Sequence, residues 1–254
     1  MLIYPGAVTL SEHTLTFLAD LIQAHRERLH TWRKLSARAQ ALLVLAHLRN
    51  GDTYQRLAAG FDIGVATAYR YIREAVALLA GLGRSLTAAL WALACTHSNF
   101  ALLDGTLVRT NRIRTHNWRY YAGRHRHHGI NLQGLTDPQG RLIWISDGLP
   151  GSTHDLSAAR THGVFAVAAR AELYLYADKG YIGGEGATLL TPYKGRNLPD
   201  SAREANRCHT AIRAHGERGF AVLKTWKIFD RYRGCPRRAG AFARAVLTLE
   251  QHPQ

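Results

Sequence analysis

The stretch "LLDGTLVR", residues 102–109, decides which fold the sequence predicts. Its apolar and β-branched residues are typical of a strand, and they surround a single acid, Asp104. A carboxylate buried on such a strand is costly unless it is paired or binds a cation. Because the whole chain holds 33 Lys and Arg against 18 Asp and Glu, Asp104 is the first candidate for a functional residue.

Residues 99–254 are predicted to form an α/β domain around that strand. The turn "DPQGR" should join two antiparallel strands, because its proline and glycine suit a reverse turn. Helices are predicted over residues 152–171 and from about Ser201 to Phe229. The further strands are predicted from short apolar runs bounded by Gly, Asp and Pro, namely "GINLQGLTD" (129–137), "RLIWISDGL" (141–149), "ELYLYAD" (172–178) and "ATLLTPYK" (187–194).

Residues 1–98 are predicted to be helical. Ser36 should cap one helix, which Asn50-Gly51 would end, and Asp52 or Thr53 should cap the next. The short helix after this cap and the longer one that follows "DIG" have the spacing of a helix-turn-helix.

The second helix of this motif would expose Thr67, Arg70 and Arg73 to the major groove of DNA. One departure concerns the turn, where Asp62 stands in place of the usual glycine. The alternative is an ordinary helical hairpin whose arginines face water.

The chain carries a formal net charge of +15, and its pI is about 10.3. Such a surplus favours a polyanionic partner, because neutralising phosphates releases their counterions. Residues 1–98 hold 10 basic and 6 acidic residues, whereas residues 99–254 hold 23 and 12. The larger domain therefore carries most of the charge that favours nucleic acid.

The three cysteines, Cys95, Cys208 and Cys235, are widely spaced and favour neither a disulfide framework nor a zinc site. The first residues do not have the pattern of a signal peptide. We expect no membrane-spanning segment, because no run of about 18 apolar residues is evident. These features predict a protein of the cytoplasm.

Two further acids are predicted to meet Asp104. Asp178 follows the apolar run "LYLYA" directly, and Glu217 lies in the late helix. The ends of neighbouring strands in an α/β sheet form a crevice, where three unpaired carboxylates would repel one another. Mg²⁺ relieves such repulsion and prefers oxygen ligands, and two such ions can support phosphoryl transfer.

These motifs resemble the DDE transposases of bacterial insertion sequences, and more narrowly the DDE superfamily endonucleases. The resemblance rests on "LLDGT", "YYAGRHRHHGINLQGLTDPQGRLIWISDGLPGSTHDL", "YADKGYIG", "TPYKG" and "HGERGFAVLKTWKI", and it covers nearly the whole chain. Asp178-Lys179-Gly180-Tyr181 fits the family's pattern at the second acid. Arg213 and Lys224 match the basic residues that flank the third, and their offsets place them roughly on one helical face with Glu217. Thr210 stands where the family has Tyr, so no role is carried over to it.

The resemblance implies an RNase H-like mixed sheet flanked by helices, preceded by a helix-turn-helix domain. It also implies that Asp104, Asp178 and Glu217 are the catalytic residues and hold two Mg²⁺ ions, for which Mn²⁺ could substitute. The expected activity is cleavage at the ends of an insertion sequence and joining of the freed 3′ hydroxyl to target DNA. The expected partners are the terminal inverted repeats, target DNA and further copies of the chain, in a dimer or larger assembly near the nucleoid. A non-catalytic DNA-binding regulator and a metal-dependent nuclease are the alternatives.

Several other residues remain candidates. Asp155 has capping-box spacing from Ser152, which favours a helix start, although a supporting role beside the acids is open. The run "RHRHHG" does not have the spacing of a zinc site, so Arg124 and Arg126 are predicted to contact phosphate. The other predicted phosphate contacts are Lys194, Arg196, Arg213, Lys224 and Lys227, with Arg231, Arg233, Arg237 and Arg238 as possible further members.

Overall fold

A computed structural model describes residues 8–30, 32–111 and 117–252, with Glu217 described by its backbone alone. The helices of these residues are α1 (Glu12–Leu29), α2 (Ala37–Asn50), α3 (Tyr54–Gly60), α4 (Val65–Leu82), α5 (Leu86–Ala94), α6 (Asp155–Thr161), α7 (Val164–Arg170), α8 (Asp200–Ala214), α9 (Gly216–Lys224) and α10 (Ala239–Gln251). The strands are β1 (Phe100–Arg109), β2 (Tyr121–Ala122), β3 (His127–Thr136), β4 (Leu142–Ile145), β5 (Leu149–Pro150), β6 (Tyr174–Ala177) and β7 (Leu189–Leu190).

The chain divides into two compact units. The helical unit takes Met1–Gly83, Lys224–Arg231 and Ala241–Gln254, and the sheet unit takes Arg84–Leu223 and Tyr232–Gly240. The predicted domain ranges, 1–98 and 99–254, stay predictions, because packing within one chain does not measure which part folds independently.

The helices of the helical unit begin and end where the local sequence predicts. The side chains of Ser36 and Thr53 accept hydrogen bonds from the backbone N–H groups three residues later, so both act as N-caps. Gly51, with φ of 68°, ends α2 in the left-handed conformation. The caps predicted at Ser36 and Thr53 are therefore confirmed.

The turn between α3 and α4 has the geometry of a helix-turn-helix despite its missing glycine. Asp62 takes φ of 48° in this turn, a conformation that Asp and Asn adopt more readily than most residues. Leu57 and Ala58 of α3 and Ala68 and Ile72 of α4 are all buried, and the two helices pack against each other. An aspartate can therefore occupy the turn without disturbing the packing of the two helices.

The last helix of the chain belongs to the helical unit. Trp226 is almost fully buried there, and its Nε1 donates a hydrogen bond of 2.6 Å to Glu250 of α10. Thr248 donates its hydroxyl to the carbonyl of Leu79 at 3.0 Å. The Thr248 bond attaches the last helix to α4, and the Trp226 bond joins two parts of the C-terminal segment.

A mixed sheet forms the centre of the sheet unit, in the order β2-β3-β1-β6-β7, with β4 and β5 also paired to β3. β1 is antiparallel to β3 and parallel to β6, which is in turn parallel to β7. Helices pack against this sheet, so the predicted α/β class is confirmed. A buried cluster fills one face, where Leu103 of β1 and Leu175 of β6 meet residues of α5 and α7.

The late helix is interrupted, which corrects the prediction of one helix from Ser201 to Phe229. α8 ends at Ala214, and the N–H of Arg218 bonds the carbonyl of His215 at 3.3 Å, one residue closer than in a regular α-helix. This carbonyl lies against Gly140, where a Cβ atom would be only 2.2 Å from it. Arg213 therefore belongs to α8 and Glu217 to α9. The prediction that the two residues share one continuous helical face is wrong.

One helical stretch of the described residues, Val65–Ala94, is long and apolar enough to cross a membrane by length and composition, with a mean hydropathy of 1.6. The expectation that no such run exists is therefore too strong. A single stretch of this kind is weak support for a membrane span, because core helices pass the same test. Within it the chain leaves α4 after Leu82, and Ser85 caps α5 as a separate helix.

Candidate active site and DNA-binding surface

Asp104 and Asp178 are neighbours at the end of a parallel strand pair. The register of β1 and β6 pairs Leu103 with Ala177, and the two aspartates are the next residue on each strand. Neighbouring strands lie about 4.8 Å apart, so the two Cα atoms are separated by roughly that distance if the register continues. Two acids that are 74 residues apart in the chain thus come together, as predicted.

Each of these aspartates leaves one carboxylate oxygen available. The N–H of Gly105 bonds Oδ1 of Asp104 at 2.9 Å, and the N–H of Gly180 bonds Oδ1 of Asp178 at 2.7 Å. Within the described part of the chain, neither Oδ2 atom accepts a hydrogen bond. Backbone donors therefore orient both carboxylates while one oxygen of each can receive a cation.

The pKa of Asp104 is raised from 3.8 to about 6, mainly by burial and to a smaller extent by the charges of Asp178 and Asp155. The N–H of Gly105 and the guanidinium of Arg213 oppose this shift. The carboxylates of Asp155 and Asp178 are thus close enough to interact electrostatically with the mostly buried carboxylate of Asp104. A cation bound beside these carboxylates would offset the cost of ionising Asp104 in this environment.

The helix that carries Glu217 packs over the face of β1 on which Asp104 lies. Gly216 is in close contact with Leu102, which shares that face with Asp104 because side chains alternate along a strand. Gly219 is in close contact with Thr136 of the neighbouring β3. The backbone of Glu217 therefore starts α9 on this face, although its side chain is outside the described part of the structure.

Asp155 lies against Gly105 and is close enough to Asp104 for its charge to raise the pKa of Asp104. The predicted capping box, by contrast, is wrong. The N-cap of α6 is His154, whereas the Ser152 hydroxyl donates to the carbonyl of Arg119 at 2.6 Å. Oδ1 of Asp155 instead accepts hydrogen bonds from Asn131 at 2.8 Å and Gln133 at 3.2 Å. Asp155 thus starts a helix and also presents its carboxylate to residues of the sheet.

The sequence reasoning missed Asn131, Gln133 and Tyr181. Asn131 and Gln133 alternate with apolar residues on β3, a strand that is buried along most of its length. The same rule that singled out Asp104, a polar group on an apolar strand, would have found them. Tyr181 lay within the quoted motif "DKGY" but had no assigned role, because its partner is on a distant strand.

The donor chemistry of the site fits a divalent cation. Asp104 and Asp178 offer oxygen atoms, which Mg²⁺ prefers. Among the residues that the structure describes, no group of three or more His, Cys, Asp or Glu is arranged to hold a metal ion. The Glu217 side chain is not part of that set, so the third predicted ligand stays a prediction.

A basic turn of the sheet unit lies within electrostatic reach of Asp155. Arg124 and Arg126 are exposed in the turn between β2 and β3. His125, between them, is close enough to Asp155 to be affected by its charge, although burial and Arg124 lower the pKa of this histidine. The turn therefore brings positive charge towards the acids, which suits a phosphate-bearing ligand.

The remaining predicted phosphate contacts are divided between the two units. Lys194 and Arg196 are exposed after β7, and Arg213 is half-buried within electrostatic reach of Asp104. Lys224 and Lys227 are exposed but belong to the helical unit.

A cleft of about 870 Å³ lies beside the start of α4 in the helical unit. Thr67 and Arg70, two of the predicted DNA contacts, line it together with Trp32 and Lys34, which the sequence reasoning missed. Lys34 pairs with Asp62 at 3.0 Å, so the segment before α2 is attached to the turn of the motif. The third predicted contact, Arg73, is exposed and lies over the ring of Tyr69.

Replacing Arg70 by alanine should weaken binding to the DNA that the helix-turn-helix recognises by roughly 5- to 100-fold, the range for losing one base contact. Arg70 is exposed on α4, and within the described residues its guanidinium bonds only Thr67. Fluorescence anisotropy with labelled duplex measures the change. Arg28→Ala removes an exposed arginine from α1 and serves as the control. Equal losses in both variants would mean that Arg70 acts only through net charge.

Comparison with known proteins identifies the family of this chain. Residues 103–251 match the family described as DDE superfamily endonuclease, and residues 33–85 match the helix-turn-helix of DDE superfamily endonuclease. The chain is 31% identical over 219 residues to the "Putative transposase for insertion sequence element IS112" of Streptomyces albus G, covering 83% of this chain and 76% of that protein. No solved structure matches it significantly. The mixed sheet is thus the RNase H-like fold that the resemblance implied, and the chain belongs to the DDE transposase family, with an N-terminal helix-turn-helix.

Proposed function

We propose that this transposase cleaves DNA at the ends of its insertion sequence and joins the freed 3′ hydroxyl to target DNA. The observation that carries the proposal is the adjacency of Asp104, within β1, and Asp178, directly after β6, at the point where the pairing of these two strands ends. Among the described residues, one oxygen of each carboxylate accepts no hydrogen bond. Glu217 is proposed as the third acid, because its helix starts on the face that bears Asp104.

The residues of this chain would bind, orient and balance charge at the reacting phosphate. Asp104, Asp178 and Glu217 would hold two Mg²⁺ ions, which supply Lewis-acid stabilisation of the attacking and leaving oxygens when bound. In the first step a water oxygen bonds to phosphorus while the bond to the 3′ oxygen breaks. In the second, that 3′ oxygen bonds to a target phosphorus and displaces a target 3′ oxygen. Arg124, Arg126 and Arg213 would balance the phosphate charge beside the acids.

The helix-turn-helix would bind the terminal inverted repeats through Thr67, Arg70 and Arg73. Lys194, Arg196, Lys224 and Lys227 would contact the DNA backbone, which positions a duplex without reading its sequence. Joining two ends in concert requires at least two active sites, so we propose a dimer or larger assembly on DNA. A cytoplasmic protein near the nucleoid suits these partners.

The test uses the full-length chain, duplexes carrying the ends of its own element and a supercoiled target plasmid. With Mg²⁺ or Mn²⁺ we expect a nick at the element end and covalent joining to the plasmid, mapped by sequencing, and neither product in excess chelator. Cleavage without joining would instead identify a metal-dependent nuclease. Sequence-specific binding without cleavage would identify a DNA-binding regulator.

A further inference from the structure

Three polar side chains behind the acids form one hydrogen-bonded unit with Asp155. The Tyr181 hydroxyl donates to Oε1 of Gln133 at 2.6 Å. Nε2 of Gln133 donates to Oδ1 of Asn131 at 2.8 Å and to Oδ1 of Asp155 at 3.2 Å. Nδ2 of Asn131 donates to the same Asp155 oxygen at 2.8 Å and to the carbonyl of Thr153 at 3.1 Å. We call Asn131, Gln133 and Tyr181 the amide–phenol network.

The network has one consistent arrangement of donors and acceptors. Burial and the nearby carboxylates raise the pKa of Tyr181 well above its ordinary value, so its hydroxyl stays protonated and donates. The oxygen of the Gln133 amide must then face Tyr181, which turns its nitrogen towards Asp155. Both amides use their oxygen and their nitrogen, and Gln133 and Tyr181 are fully buried. A buried network with every member paired is rigid, because each alternative arrangement leaves a polar atom unpaired.

The network lies next to three aspartates of the candidate site, Asp104, Asp155 and Asp178. It bonds Asp155 directly and holds that carboxylate against β1, where a Cβ atom on Gly105 would be 2.4 Å from Oδ1 of Asp155. Gly105 follows Asp104 directly, so only a glycine leaves room for this approach. On the other side, the backbone N–H of Tyr181 bonds the carbonyl of Asp178 at 3.1 Å. The two ends of the network thus lie beside the two paired strands.

We propose that Asn131, Gln133 and Tyr181 are positioning residues that hold Asp155 beside Asp104 and fix the Asp178 turn relative to β1. This inference rests on the proposed function. Mutual repulsion among the carboxylates would move them apart before a cation arrives, and the network opposes that movement. It supports the acids from behind and touches neither the DNA nor a metal ion.

The network therefore makes a prediction that packing alone does not make. Residues that orient metal ligands typically change metal affinity or activity by about 10- to 100-fold when replaced. Replacing a residue that only fills the core lowers thermal stability, but it leaves the metal affinity of each folded molecule unchanged. Metal affinity measured without DNA thus separates the two roles.

The experiment compares Gln133→Met and Tyr181→Phe with Leu135→Val, a matched control that trims a buried side chain on the same strand. Mn²⁺ binding is measured by electron paramagnetic resonance on the folded, DNA-free chain, beside the thermal midpoint and the affinity for end DNA in chelator. We expect the dissociation constant for Mn²⁺ to rise by about 10- to 100-fold in Gln133→Met and by a smaller factor in Tyr181→Phe. Leu135→Val should lower the thermal midpoint alone, and none of the three should change end-DNA affinity in chelator.

Wild-type Mn²⁺ affinity in both network variants, with thermal midpoints lowered as in Leu135→Val, would overturn the proposal and leave the network a packing feature. If Gln133→Met does not fold, Tyr181→Phe, which removes a single hydroxyl, decides by the same criterion. A wild-type chain that binds no Mn²⁺ and cleaves no DNA would instead overturn the proposed function itself, and with it the role of the network.

Discussion

Replacing Asp178 by asparagine is expected to slow cleavage at the element ends by at least about 10³-fold, the scale seen when an essential catalytic group is removed. Asparagine has the shape of aspartate and keeps an oxygen for the N–H of Gly180, which bonds Asp178 at 2.7 Å. The turn should therefore survive. What is lost is a negative charge beside Asp104, and with it the ability to hold divalent cations against a phosphate.

Single-turnover cleavage of labelled end DNA in Mg²⁺ measures this loss, with end-DNA affinity in chelator as the check on folding and binding. Asp200→Asn is the matched control, because it removes the same charge from an exposed position at the start of α8. Cleavage and joining at the wild-type rate in Asp178→Asn would refute the assignment of this acid.

The second large effect concerns the stability of the metal-free protein, and here the substitution is expected to increase the measured quantity. Asp104→Asn should make the metal-free protein more stable than the wild type at pH 7. Burial raises the pKa of Asp104 from 3.8 to about 6 in the folded protein, so folding disfavours the ionised form. A shift from 3.8 to about 6 corresponds to about 3 kcal/mol of lost stability once the pH is above both values. Asparagine has no ionised form and avoids this loss, while its oxygen can still accept the N–H of Gly105.

The difference in unfolding free energy between Asp104→Asn and the wild type should depend on pH. Below about pH 4 Asp104 is protonated in both the folded and the unfolded chain, so the stabilities of wild type and variant should converge. Between about pH 4 and 6 the wild type should lose stability relative to Asp104→Asn, and above that range the difference should stay constant. Urea unfolding in chelator at pH 4 and pH 7, followed by circular dichroism, measures it, with Asp200→Asn as control. A difference that does not grow with pH would show that burial of the Asp104 charge costs nothing.

The two predictions for the aspartates describe one trade between stability and function. A buried carboxylate that destabilises the metal-free protein favours cation binding, because a bound cation offsets the cost of burying the negative charge. Asp104→Asn should accordingly abolish cleavage while it stabilises the metal-free fold. Residues whose replacement stabilises a protein and removes its activity are characteristic of catalytic sites.

Much of the secondary structure follows from rules that act over a few residues. The caps at Ser36 and Thr53, the turn before β4 and the strand around Asp104 were all predictable, because capping, turn chemistry and apolar runs are local properties. Local rules failed at His215, where the predicted helix is interrupted because its carbonyl packs against Gly140 of another segment. They failed again at Ser152, whose hydroxyl bonds a distant carbonyl and does not cap α6.

The sequence by itself determined the class of fold and the helix-turn-helix, and it singled out Asp104 and Asp178 as candidate site residues, because an acid within or directly after an apolar run is visible in one dimension. Only the tertiary structure decided what surrounds them. Asp155 faces the acids because Gly105 leaves space and two amides on β3 donate to its carboxylate, and Tyr181 reaches one of those amides across 48 residues. Such contacts depend on which strands become neighbours, and no local pattern in the chain contains that information.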